Sequence, residues 1–264
     1  MIDGHMHLEN GPLTKEYVLE FVEAAHAKGL DAIQILDHTH RFIEFEPIYA
    51  ELKQYEVQKT WLENKKMKFK DHVQDFVDLM EEIKSMDLPV KVTYGLEVCY
   101  VPQHEDYIRQ VLSQYQFDFI VGAIHSIDGI LYDMGFSKEL LWNQYEVNHI
   151  YKRYYELVFQ LIESDLFTQL AHPDTIKLFE IYPTYDLKPT YEKMAQLLNQ
   201  HHMKAENNVG CYYRYNHPDM GLSDELLKIL KGNHVNLITA SDAHKPSDVG
   251  SYIKEAEEKI NKMI

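Results

Sequence analysis

Histidines and carboxylates stand in six short clusters along the chain: His5-Met6-His7, Asp37-His38-Thr39-His40, Glu97, His125, His172 and Asp242-Ala243-His244. Almost every cluster directly follows a short apolar run of the kind that forms a strand. Alternate residues of a strand point to the same side, so His5 and His7 can turn both imidazoles toward one ion. Asp242 and His244 repeat that spacing near the other end of the chain. One such pair is weak evidence, but two pairs together with Glu97, His125 and His172 are hard to obtain by chance. Mixed imidazole and carboxylate donors suit Zn²⁺, Mn²⁺ or Fe²⁺ better than Ca²⁺ or Mg²⁺, which prefer oxygen. There are more candidate donors than one tetrahedral ion accepts. The pattern therefore predicts two or three divalent ions, with a carboxylate such as Glu97 bridging two of them. Closely spaced ions are typical of phosphoester hydrolysis: one lowers the pKa of a water, and the others hold the phosphoryl oxygens and stabilise the departing alkoxide.

For these donors to meet, the strands that carry them must run parallel and end at one mouth. Strand and helix signals alternate along the chain, which is the βα pattern. Strands are read at 1–8, 32–36, 90–96, 117–124, 167–171, 203–207 and 235–240, the sixth being weak. Helices are read from Thr14, a capping residue, to Lys28 with Gly29 as its stop, then at 71–86, 139–162, 189–201, 223–230 and 246–263. Seven strands with intervening helices predict an α/β barrel rather than an open sheet, and active sites of such barrels lie at the C-terminal ends of the strands. The 264 residues form one barrel domain on this reading. Residues 41–70 break the alternation and read as a partly helical insertion beside the second cluster, either a lid or a solvated excursion.

The bulk composition excludes several classes of function. A formal charge of −16 argues against general affinity for nucleic acid or an anionic membrane, both of which need basic patches. No apolar run approaches the length of about 18 residues that spans a bilayer. The start, Met-Ile-Asp-Gly-His, has no basic region and no apolar signal core, so a soluble, cytoplasmic protein is expected. Cys99 and Cys211 have no metal-type spacing and read as reduced thiols. Nothing in the sequence marks an oligomer interface.

The stretches His-Met-His at 5–7, Asp-His at 37–38, Gly-Leu-Glu at 95–97, Gly-Ala-Ile-His at 122–125, Ala-His-Pro-Asp at 171–174 and Ser-Asp-Ala-His at 241–244 resemble the PHP (polymerase and histidinol phosphatase) family, in the family's order from end to end. The resemblance implies a distorted, TIM-like (β/α)₇ barrel with a trinuclear site at its C-terminal mouth. By motif, His5, His7, Glu97 and Asp242 would hold the first ion, Glu97, His125 and His172 the second, and His38 and His244 the third. Many members carry a further histidine just after the first cluster. Here Leu8-Glu9-Asn10-Gly11-Pro12 stands instead, so Glu9 or another group completes the third site, or that site is weaker. The chain looks most like the monofunctional histidinol-phosphate phosphatases, which implies hydrolysis of L-histidinol phosphate. Another phosphate ester, a nucleotide or a phosphotyrosine is the alternative substrate, and a metal-stabilised binding module is the non-enzymatic one. An amidohydrolase-type site would add a bridging lysine, whereas the corresponding strand ends carry Glu97 and His125.

A phosphate monoester needs cationic partners besides the metals, and arginine binds phosphate bidentately. The four arginines are Arg41, Arg109, Arg153 and Arg214. Arg214 follows the stretch Glu206–Gly210, which resembles the family's source of a phosphate-binding arginine. Arg41 and Arg153 are the further substrate candidates, and His40 is a ligand, a supporting partner or a substrate contact. Arg109 reads as a surface residue. Tyr212, Tyr213 and Tyr215 flank Arg214 as candidate wall residues, and Tyr151, Tyr154 and Tyr155 serve either the site or helix packing. Asp242, His244 and His38 are the candidates to pass the proton. The remaining eight histidines read as ordinary core or surface residues.

Overall fold

The computed structural model describes residues 1–64 and 66–263; residue 65, inside the expected insertion, lies outside the described residues. The strands are β1 (Ile2–His7), β2 (Ala32–Leu36), β3 (Lys91–Cys99), β4 (Phe119–Ala123), β5 (Ser126–Ile127), β6 (Ile130–Leu131), β7 (Gln169–Leu170), β8 (Lys204–Asn208) and β9 (Leu237–Ala240). Seven of them form one sheet in the order β1-β2-β3-β4-β7-β8-β9, with every neighbouring pair parallel. The short β5–β6 hairpin stands apart. Closure occurs just beyond β9. Asp242 N donates to His5 O at 2.9 Å and His7 N to Ala243 O at 2.7 Å, beside a parallel bridge between Met6 and Ala243. The sheet thus curls into a nearly closed barrel, and the pairing that closes it also sets the first and last metal-type clusters side by side.

The helices are α1 (Lys15–Ala27), α2 (Glu56–Leu62), α3 (Val73–Lys84), α4 (Glu105–Leu112), α5 (Val147–Glu163), α6 (Lys188–Gln200), α7 (Gly210–Tyr215), α8 (Asp224–Gly232) and α9 (Ile253–Lys262). Thr14 caps α1 by accepting from Tyr17 N, and Gly29 follows its end at φ 69°, where glycine avoids the Cβ penalty. Along α3, Val73, Phe76, Met80 and Ile83 are buried at helical spacing, so its apolar stripe faces the barrel. Between β3 and β4 the backbones come so close that a Cβ on Gly95 would lie 2.2 Å from Phe119 O.

Two expected helices are interrupted. The stretch 139–162 is a π-helical turn, Lys138–Trp142, followed by α5 from Val147. Trp142 Nε1 donates to Tyr132 O at 2.8 Å, which pins that turn to the segment after β6 and redirects the chain. The stretch 246–263 opens as a 3₁₀ turn, Pro246–Asp248, and becomes helical only at Ile253. Gly250 and Tyr252 between them take φ 69° and 58°, and Gly250 N donates to buried Asp3. Both breaks come from long-range contacts that a periodicity cannot report.

The segment after β2 holds a 3₁₀ stretch, Ile43–Gln54, that runs into α2. Phe45, Ile48, Tyr49 and Leu52 are buried. Gln58 donates to Leu52 O and Gly129 O and accepts from Leu131 N. These bonds tie the segment to the β5–β6 hairpin. Its inner face is therefore packed rather than solvated.

Candidate metal centre

The C-terminal ends of β1, β2, β3, β4 and β7 and the turn after β9 converge at one mouth. Glu97, near the end of β3, lies in the middle of the rings. Its Oε1 is 2.9 Å from His172 Nε2 and 3.3 Å from His125 Nε2. Its Oε2 is 2.6 Å from His38 Nδ1 and 3.5 Å from both His5 Nε2 and His7 Nε2. Asp242 Oδ1 lies 3.2 Å from His7 Nε2 and 3.8 Å from His5 Nε2. His7 stacks on His38 with ring centroids 4.0 Å apart, and the His244 ring lies 4.4 Å from His7 on a tilt. Three groups of donor atoms lie within 4.8 Å of one another: His5, His7 and Glu97; His38, Glu97 and His125; His7, His38 and His244. The first group matches the leading part of the first set implied by motif. The others show His7 and His38 each facing two groups, a sharing that spacing alone does not reveal.

These residues fit divalent cations on grounds internal to the structure. The Nε2 atoms of His5 and His7 are only 2.8 Å apart in a buried setting. Glu206 Oε1 accepts from His5 Nδ1 at 2.8 Å, which turns His5 Nε2 toward the mouth as the nitrogen that would bind an ion. Burial, reinforced by His38 and His244, holds the His7 pKa well below the ordinary range, so His7 is neutral, the form that binds metal. Burial opposes the charge of Glu97, but His38, His5 and His125 outweigh it and hold the carboxyl well below its usual range. His7 Nδ1, Glu97 Oε2 and His172 Nδ1 are buried without an aligned hydrogen-bond partner, a condition that protein interiors avoid and that cations among these rings would relieve. His172 and Asp242 sit at φ 22° and 58°, positive values that few non-glycine residues adopt and that cluster at functional sites.

A cavity of about 250 Å³ opens above this centre, and its walls include Glu9, His38, His40, His125, His172, Asp242 and His244. Glu9 stands where the expected additional histidine would be. Its carboxylate is 3.4 Å from His244 Nε2 and 4.0 Å from His38 Nε2. Arg214 enters the cavity from α7, with Nη2 donating to Asp242 Oδ2 and Nη1 to His244 Nδ1, both at 2.6 Å. Burial disfavours its charge, but Asp242 more than compensates and raises its pKa further. A Cβ on Gly210 would lie 2.8 Å from Arg214 Nη2 and 2.9 Å from Asp242 Oδ2, so the glycine makes room for that pair.

The structure places Arg41 and Arg153, the other arginine candidates, off the cavity wall. Arg41 is 1% exposed. Its guanidinium binds Asp37 at 2.7 Å, Asp71 at 2.6 Å and Gly11 O at 3.2 Å, and it is absent from the cavity wall. It braces the segment that carries His38 and His40, and its burial away from the cavity keeps it from a phosphate there. Arg153 lies outside the cavity wall as well, paired with Asp128 and Glu156. Of the tyrosines, Tyr215 lines the cavity, Tyr212 and Tyr213 pack on Tyr252, and Tyr151, Tyr154 and Tyr155 are core. Arg109 bonds Glu105 and Ser164 O, away from the mouth. None of the eight histidines read as ordinary joins the donor groups found among the described residues.

Several cavity residues escaped the sequence reading. Lys68, from the segment after β2, donates to His40 Nε2 at 2.7 Å and lies 4.1 Å from the Trp61 ring centroid. Burial lowers its pKa to about 8, while burial and Lys68 lower that of His40 to about 3. His40 is thus a neutral acceptor for Lys68, and the 3.0 Å approach of Glu9 to the same nitrogen is a contact, because one ring nitrogen cannot accept and donate at once. Asp133 lines the cavity too. Glu206, on β8, supports the centre from below: besides His5 it accepts from Gln169 Nε2, His172 N and Asn208 Nδ2. Its position in a strand that ends at the mouth was the signal that could have singled it out. Replacing Glu206 by Gln would free the His5 ring to flip its tautomer. The expected result is metal affinity weakened by about 10- to 100-fold, measured by competition with a chelating dye, with unchanged far-ultraviolet circular dichroism. Unaltered affinity would remove Glu206 from the metal centre.

Comparison with known proteins adds independent information. The PHP domain family model matches residues 3–210. A protein of Deinococcus radiodurans named probable histidinol-phosphatase is 26% identical over 175 residues, 64% of each chain, so this chain spans about two thirds of that relative's length, at 64%. The histidinol-phosphatase of Bacillus subtilis is 22% identical over 96% of this chain and 97% of its own. Among solved structures, the histidinol phosphate phosphatase of Lactococcus lactis, in complex with zinc, L-histidinol and phosphate, has a TM-score of 0.71 at 16% identity, covering 99% of this chain and 93% of its own. A Listeria monocytogenes structure described as a putative histidinol phosphatase has a TM-score of 0.73 at 18% identity, covering 96% and 99%.

Proposed function

The chain belongs to the PHP domain family, and from that premise we propose that it is a metal-dependent phosphomonoesterase that hydrolyses L-histidinol phosphate to L-histidinol and phosphate, a step of histidine biosynthesis. The observation that carries the reading is the gathering of His5, His7, His38, Glu97, His125, His172, Asp242 and His244 at one barrel mouth, with the Arg214 guanidinium against Asp242 and His244. The names of the Deinococcus and Bacillus relatives and the ligands of the Lactococcus structure support the substrate.

His5, His7, Glu97 and Asp242 would hold one divalent ion, Glu97, His125 and His172 a second, and His38, His244 and Glu9 a third, with zinc favoured by the Lactococcus structure and manganese or iron suited to the same donors. Bound there, the ions supply Lewis-acid stabilisation of the phosphoryl oxygens and a water acidified for attack. Arg214 orients the phosphate from the α7 side and compensates the charge that accumulates on it. Arg214 fixes Asp242 through Oδ2, so Oδ1 remains directed at the mouth, where it accepts the proton of the attacking water. As the ester P–O bond breaks, Asp242 passes that proton to the departing alkoxide, while His38 and His244, both on the cavity wall, stay in place as donors to the third ion. Trp61 and Lys68, carried by the segment after β2, line the cavity, which supports reading residues 41–70 as a lid that favours small esters. The charge of −16 disfavours a polynucleotide substrate. No helix among the described residues is long and apolar enough to cross a membrane, and with both cysteines free we place the enzyme in the cytoplasm.

Phosphate release tests the reading. Protein stripped of metal and reloaded separately with Zn²⁺, Mn²⁺ or Fe²⁺ is expected to release phosphate from L-histidinol phosphate, to prefer it over nucleotides and sugar phosphates, and to lose all activity when stripped. Equal turnover of the other esters would reject the substrate, and no release under any metal would reject the hydrolase.

A further inference from the structure

The cavity above the metal centre contains three carboxylates, Glu9, Asp133 and Asp242. Two of them are occupied: Glu9 lies against His40, His244 and His38, and Asp242 is clasped by Arg214 and faces His7. The two cavity cations face groups other than Asp133, Arg214 meeting Asp242 and Lys68 meeting His40 and the Trp61 face. Asp133 differs from all of these. It follows the β5–β6 hairpin, makes no ion pair among the described residues, has its own backbone amide as its hydrogen-bond donor, and belongs to none of the metal-type donor groups. Its neighbours along the wall are Leu131, Met134 and Tyr215, which present apolar and aromatic surface. Burial raises its pKa above the ordinary value for aspartate, with His125 and His172 partly opposing the shift. A partly buried carboxylate that no cationic side chain of the cavity pairs with is costly to keep, and its placement on a substrate cavity points to a ligand that brings a positive group.

We propose that Asp133 receives the cationic end of the substrate and is the residue that selects phosphate monoesters bearing an ammonium or imidazolium group. The inference rests on the phosphatase reading above and deepens it. The phosphoryl end is held at the metal centre by Arg214 and the histidines. The organic part lies along Leu131, Met134 and Tyr215, and its positive group meets the Asp133 carboxylate. A neutral alcohol phosphate satisfies the first end and leaves Asp133 unpaired, which is the asymmetry that yields strong discrimination.

Two measurements on the metal-loaded protein test this. The first is the ratio of kcat/KM for L-histidinol phosphate to that for glycerol 2-phosphate, in wild type and in Asp133→Asn. A charge-assisted hydrogen bond supports a collapse of that ratio by about 10- to 100-fold in the variant, mostly through KM for the cationic ester. The second is calorimetric binding of L-histidinol, which needs no turnover and is expected to weaken by a similar factor. A ratio and a binding constant both unchanged in Asp133→Asn would overturn the proposal. So would an equal fall for both esters, which would place Asp133 in the chemistry or in metal retention, and so would a wild type that does not bind L-histidinol. A wild type that binds L-histidinol through Asp133 yet releases no phosphate would instead leave this proposal standing and refute the hydrolase reading.

Discussion

Glu97→Gln is expected to lose at least one equivalent of bound metal and to reduce kcat/KM on L-histidinol phosphate by at least about 1000-fold. The amide preserves the shape of the side chain and removes its charge. Both carboxylate oxygens are engaged with imidazoles from different strands, Oε1 with His125 and His172, Oε2 with His38, His5 and His7, a central position from which it would bridge two ions. Metal-derived stabilisation of the transition state is worth several kcal/mol, and each 1.36 kcal/mol is about tenfold in rate, which sets the expected loss. Elemental analysis of the purified protein gives the metal count, and steady-state kinetics the rate. A variant with its full complement of ions and activity within tenfold of wild type would show that Glu97 does not bridge. Circular dichroism separates this from misfolding: Glu97 lies at the mouth end of β3, and the backbone pairing of that strand with β4 does not depend on its side chain.

Arg214→Ala is expected to lower kcat/KM by about 100- to 1000-fold, the range for removal of one preorganised donor to a charged transition state. Inorganic phosphate should become a correspondingly poorer inhibitor. Arg214→Lys should recover less than tenfold of the loss, because an ammonium cannot reproduce the planar contact to Asp242 and His244 while also meeting phosphate oxygens. The same loss with unaltered phosphate inhibition would mean that Arg214 only positions Asp242. Arg41→Lys is the contrasting case: its guanidinium is spent on Asp37 and Asp71, so its effect should appear in thermal stability rather than in phosphate inhibition.

Most of the centre was legible because the signal is local. Period-two spacing in His5-Met6-His7 and a histidine or carboxylate just past an apolar run are properties of a few consecutive residues, and parallel strands can only present such ends at one face. The distorted seven-stranded barrel was legible for the same reason, through alternation of strand and helix patterns. Helix ends at 143–146 and 249–252 were not, since a tryptophan bonded to a distant carbonyl and a glycine bonded to Asp3 decide them.

By itself, the sequence determined which residues could bind metal, that they lie at strand ends, and that hydrolytic phosphate chemistry suits them. Tertiary structure alone decided which charged groups remain available. Arg41 is neutralised by Asp71 from beyond the insertion together with its neighbour Asp37, and Arg153 by Asp128 from the β5–β6 turn, whereas Arg214 faces the cavity. Lys68 reaches the mouth from a segment without a strand, Glu206 orients His5 from 201 residues away, and Asp133 stands unpaired against an apolar wall. Each of those outcomes depends on distances across the closed barrel and on the free energy of burying charge, which residue order does not encode locally.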